Sequence, residues 1–116
     1  MTEKTKQDLE EICRTIRATM NVCQIYLFGS FAYGTPHAES DYDLYVIIPD
    51  DGPRPIEVMQ QLNIALIHHR DVPLDILVGK ETAFFSRANF PSLERTVYQK
   101  GVLLYGNEPR VQQALA

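Results

Sequence analysis

Two aspartates, Asp41 and Asp43, flank Tyr42 at the start of an apolar run from Leu44 to Ile48. Side chains alternate along a strand, so the two carboxylates share one face, a few ångströms apart. Like charges at about 4 Å repel by roughly 4 kcal/mol at an effective dielectric of 20, and a divalent cation is the usual way to offset this. Hard oxygen donors with open positions suit Mg2+. A solvated strand entry is the plainer explanation of a lone Asp-x-Asp. Asp75 lies inside a second apolar run, Val72 to Val78, where a carboxylate is costly if buried without a partner. It reads as a third metal ligand reaching towards Asp41 and Asp43, or else as a charge on the solvated face of an edge strand. Upstream, Phe28-Gly29-Ser30 ends another apolar run in a turn. Exposed N–H groups at the mouth of a helical turn favour phosphate, Gly lets it approach the backbone, and Ser adds a hydroxyl donor. Gly-Ser also occurs in plain loops. The combination is more specific: Gly29-Ser30, ten residues, then Asp41-x-Asp43 arises by chance in roughly one chain of this length per thousand.

These residues need elements to position them. Leu9, Ile12, Cys13, Ile16 and Met20 form one stripe of an amphipathic helix over residues 5–20, with Thr5 as its N-cap. Val22 to Phe28 reads as a strand. Residues 31–40 are mostly turn, with one helical turn after Ser30. Tyr42 to Ile48 is a second strand, followed by a loop at 49–53. Pro55 opens a helix running to Arg70, and Val72 to Val78 is a third strand, with Pro73 marking an edge or a strand start. Residues 80–100 read as helical, restarting near Pro91 and stopped by Gly101; 102–105 is a short last strand before a polar tail from Gly106. The pattern α-β-β-α-β-α predicts an α/β (α+β) domain, a small mixed sheet with helices packed on it.

The run Gly29-Ser30-Phe31-Ala32-Tyr33-Gly34 followed by Ser40-Asp41-Tyr42-Asp43-Leu44 resembles the signature of the DNA polymerase β-like nucleotidyltransferases. More narrowly it resembles the minimal nucleotidyltransferases (MNT), prokaryotic antitoxins paired with HEPN-domain toxins. The resemblance covers about residues 5–105 and places Asp75 at the family's third carboxylate. It implies the polymerase β-like fold, a nucleoside triphosphate substrate (ATP), two Mg2+ ions and AMP transfer to a tyrosine hydroxyl of a HEPN toxin. Asp41 and Asp43 would hold both ions, Asp75 would complete the acceptor-side site and take the acceptor's proton, and Gly29 and Ser30 would hold the departing phosphates. Ser40 is grouped with the nucleotide-binding residues, its nearer role being to cap the turn. Tyr33 stands where many relatives carry Arg. Arg70 and Lys80, flanking the third strand, are the nearest replacements for that cation. Tyr33 and Tyr42 are candidates for stacking on a base, against packing in the core. His37 reads as a loop residue, and His68-His69 as cations at a helix end.

Composition bounds the rest. The chain has 116 residues, 45% apolar and 22% charged, an ordinary globular profile read as a single domain. Eleven basic against fifteen acidic residues give a net charge of −4, which argues against broad capture of long nucleic acid. No apolar run is long enough to cross a bilayer, no signal peptide is visible, and Cys13 and Cys23 make no metal spacing or disulfide framework, so the expected setting is cytoplasmic and reducing. Homo-oligomers remain open. The small size predicts that the acceptor belongs to another protein. Two other readings compete. One is a catalytically weak MNT module that neutralises its HEPN partner by binding alone. The other is an Asp-x-Asp phosphatase like the haloacid dehalogenases, in which the apolar strand precedes the acidic pair rather than following it.

Overall fold

The computed structural model describes residues 1–69 and 71–107. Helix α1 (Glu3–Thr19) buries Leu9, Ile12, Cys13 and Ile16, the predicted stripe. Its cap is Thr2, whose hydroxyl accepts the Thr5 N–H at 3.1 Å, not Thr5 as expected. Glu3 and Lys4 sustain helix, and Lys4 pairs with Asp8 at 2.9 Å one turn on, so the helix begins a turn earlier than its apolar stripe.

The chain continues as β1 (Gln24–Phe28), the single turn α2 (Ser30–Tyr33), β2 (Tyr42–Ile48), α3 (Pro55–Ala65), β3 (Leu74–Lys80), α4 (Glu81–Arg87), α5 (Leu93–Lys100) and β4 (Val102–Tyr105). β1 starts at Gln24 rather than Val22 and β3 ends at Lys80 rather than Val78, and two further boundaries differ from expectation for a clear reason. α3 stops at Ala65 rather than running to residue 70: Ile67 and His69 donate their N–H groups to Ile64 and Leu66, three residues back, which tightens the end of the helix out of α geometry. Position 70 itself lies outside the described residues. β3 starts at Leu74, because Pro73 has no N–H to give a ladder, although its carbonyl accepts the Tyr42 N–H at 2.9 Å.

The sheet order is β3-β2-β1-β4. β1 is antiparallel to both β2 and β4, while β2 and β3 are parallel, which makes the sheet mixed as predicted. Both faces are covered. Leu44, Val46, Ile48 and Ile76 pack under α1 and α3 with Leu9, Ile16, Val58 and Leu62. Tyr26, Tyr45 and Ile47 pack on the other face with Phe84 of α4 and Val97 of α5. The unbroken apolar run of β2 thus matches a strand buried on both sides.

This topology gathers one end of the sheet. β1 ends where β2 begins, Phe28 facing Asp43, and β3 begins beside them, Asp43 facing Asp75. Gly29-Ser30, Asp41, Asp43 and Asp75 thus come together at that end.

Candidate active site

The turn after β1 is shaped by Gly29, whose φ of 76° is open to glycine and strained for other residues. A Cβ at this position would collide with Oδ2 of Asp43 and stand 3.1 Å from its Cγ. The bare backbone of Gly29 is thus the surface against which the Asp43 carboxylate rests. Ser30 starts α2, and its hydroxyl donates to Ser40 Oγ at 2.9 Å; Ser40 Oγ also accepts the His37 N–H at 2.8 Å. Ser40 is buried and committed to the loop, so it shapes the turn and holds Ser30 in place. His37 Nδ1 accepts the Glu39 N–H at 3.2 Å, a local loop contact.

Asp41 and Asp43 are half-buried and Asp75 is exposed. Alternation puts all three on the face that carries Tyr45 and Leu77, at the open end of the sheet. Burial pushes the Asp43 carboxyl above its ordinary range, and the charges of Asp75 and Asp41 push it further the same way. A cation beside Asp43 would favour its ionised form. Among the described residues no three His, Cys, Asp or Glu side chains close around a common point. The arrangement is an open row of oxygen donors rather than a cage. That fits Mg2+, which is held through one or two carboxylates together with substrate phosphates, and the Asp43 end of the row lies against the bare backbone of Gly29.

One pair of alternatives is decided and one expected role is corrected. Tyr42 packs in the core and is not available to a base: it points to the opposite face, is 3% exposed, and packs on Phe31 with ring centroids 4.7 Å apart. Lys80 cannot replace the missing cation near the phosphates. It pairs with Ile48 at the far end of β3, five residues and therefore about 17 Å from Asp75. The other replacement, Arg70, falls outside the described residues. Tyr33 is 43% exposed at the end of α2, where no basic residue stands in its helical turn. What sequence reasoning missed is the support around Tyr42. Phe31, Asp8 and Lys4 all bear on it; alternation signals only that Tyr42 faces away from the two aspartates, not which residues receive it.

The model of the polymerase beta nucleotidyltransferase domain matches residues 10–110, a span that takes in the glycine turn and all three aspartates. The chain belongs to the polymerase beta nucleotidyltransferase family. Solved structures agree on the fold. A toxin–antitoxin complex determined with AMP-PNP contains a chain 26% identical, aligned over 90% of this chain and 77% of that one with a TM-score of 0.58. A candidate nucleotidyltransferase from Sulfolobus solfataricus is 18% identical over 90% of this chain and 83% of its own, with a TM-score of 0.61. A Shewanella oneidensis complex of tri-AMPylated HEPN toxin with MNT antitoxin aligns at 22% identity over 93% of this chain and 78% of that one, TM-score 0.54. No curated protein of known function matches this chain significantly. Among the described residues no helix is long and apolar enough to cross a membrane.

Proposed function

We propose that this nucleotidyltransferase transfers AMP from ATP to a tyrosine hydroxyl of a HEPN-domain toxin and so acts as its antitoxin, in a cytoplasmic setting. The observation that carries the reading is the meeting of the glycine turn with the carboxylate row: Gly29 against Asp43, and Asp75 in register beside it. The toxin–antitoxin complex determined with AMP-PNP supports a nucleotide substrate and a toxin partner. The polymerase beta family model supports nucleotidyl transfer as the reaction.

Asp41 and Asp43 would hold two Mg2+ ions, with Asp75 completing the acceptor side. When bound, such ions clamp the attacking and leaving oxygens and offset their charge. The chain's own residues do the rest, mainly by positioning. The backbone N–H groups at the start of α2, beginning at Ser30, bind the phosphates, while the Ser30 hydroxyl, donated to Ser40 Oγ, braces the turn and Gly29 keeps the backbone close to Asp43. Asp75, exposed at the rim, accepts the proton of the acceptor hydroxyl, directly or through water.

Incubation with labelled ATP, Mg2+ and the toxin tests this. Label should appear on the toxin and vanish with Asp41→Ala; label transfer that survives Asp41→Ala would sink the catalytic assignment. One observation favours a second reading, neutralisation by binding alone: Tyr33 replaces the cation that relatives carry, and α2 has no other. That reading gains if an Asp41→Ala/Asp43→Ala double variant neutralises the toxin while leaving it unmodified.

A further inference from the structure

We propose that Tyr42 is the positioning residue that fixes how the single-turn helix α2 is oriented over the metal-binding carboxylates; this rests on the nucleotidyltransferase reading of the site. Tyr42 is joined to every segment that carries the site and, beyond them, to α1. It is covalently flanked by Asp41 and Asp43. Its ring packs on Phe31, the residue after Ser30, with centroids 4.7 Å apart at 56°. Its N–H donates to the Pro73 carbonyl at 2.9 Å, two residues before Asp75. Its hydroxyl donates to the Asp8 carboxylate at 2.9 Å, which anchors it to α1. Asp8 is itself held by Lys4 Nζ at 2.9 Å, and Lys4 lies 4.0 Å from Asp71 in the loop before β3.

The physical argument is one of leverage. Pairing of Phe28 with Asp43 sets where the turn begins, but α2 is a single helical turn followed by eight residues without regular structure, so the ladder does not set how α2 leans on β2; the contact of Phe31 with Tyr42 does. The Asp8 hydrogen bond fixes where that ring sits, because a tyrosine ring on a strand can otherwise tilt about its own side-chain bonds. ATP held at the turn and a metal held at the aspartates then meet in one geometry, and each should strengthen binding of the other.

The measurable quantity is the factor by which Mg2+ tightens ATP binding, obtained by titrating ATP into the full chain with Mg2+ and again with EDTA. It needs neither acceptor nor turnover. Tyr42→Phe keeps the ring and loses the hydroxyl, and should shrink this factor about tenfold. Asp8→Ala, which removes the same bond from the helix side, should match it, so the test stands even if one variant folds poorly. Asp8→Asn still accepts the hydroxyl and should keep the factor within about threefold of the parent. The Tyr42→Phe/Asp8→Ala double variant should be no worse than either single one, because both remove one bond. The folded fraction of each variant, read by circular dichroism with Mg2+ and with EDTA, separates lost fold stability from a lost factor. An unchanged factor in Tyr42→Phe, or losses that multiply in the double variant, overturns the assignment of Tyr42 alone. A parent protein whose ATP binding ignores Mg2+ overturns the site reading as well.

Discussion

The backbone of Gly29 and the carboxylate of Asp43 are fitted to one another: the space that a side chain at 29 would need is already filled by Oδ2 of Asp43. Gly29→Ala is wrong twice, by this collision and by the φ of 76°. It should cost about 1–3 kcal/mol of stability in urea denaturation, and ATP binding should weaken at least about tenfold as Asp43 is displaced. Parent-like binding would show that the two residues are not coupled.

Asp43 is also a liability to the metal-free fold. Its carboxyl is raised above the ordinary 3.8 by burial and by its two acidic neighbours. The folded state therefore holds the proton longer than the unfolded chain. Its contribution to stability is present below pH about 4 and is lost as pH rises through the folded value. Asp43→Asn removes the charge, so at neutral pH without metal it should raise the thermal midpoint by roughly 1–3 °C, a small gain because the group is partly solvated. The stabilisation that Mg2+ gives the parent should vanish in this variant. A thermal scan at several pH values, with and without Mg2+, reads both effects.

Tyr33 offers a gain-of-function check. Restoring the relatives' cation with Tyr33→Arg changes an exposed position. An exposed charge near phosphate is worth about 0.5–1 kcal/mol, so Mg·ATP binding should tighten about three-fold, with the gain disappearing at high salt. No gain at low salt would mean that the phosphates do not pass near α2.

Phe84 tests the cover over the site's face of the sheet. It is fully buried between Tyr26, 6.1 Å away, and Tyr45 and Phe85, each 4.9 Å away by ring centroid. Phe84→Ala should cost about 3–5 kcal/mol in urea denaturation. A loss below about 1 kcal/mol would mean that α4 is only loosely docked.

The local signals proved readable wherever one segment decides its own state. The stripe of α1, the single turn after Ser30, the break between α4 and α5 near Pro91 and the entry of β2 at Tyr42 all lie where residue types put them. What could not be read depends on partners distant in the chain. Tyr42 was open to the base or to the core until Asp8 and Phe31 were seen beside it. Lys80 looked close to Asp75 in sequence, but an extended strand carries it to the other end of the sheet. The cap moved from Thr5 to Thr2 because two capping residues three apart are indistinguishable by type. The polar tail lies, from residue 108 onward, outside the described residues.

β2 is laced to neighbours on both sides, whereas β3 is the last strand of the sheet. The two halves of the candidate site are therefore built to different tolerances. Asp43 stands on, and Asp41 directly precedes, a strand whose inner residues are fully enclosed, so substitutions that move them also disturb the interior. Asp75 follows Asp71 and Pro73, all exposed, on a border where side chains can change with little cost to the fold. Under the proposed function, such a division would leave the nucleotide side fixed and the acceptor side free to vary.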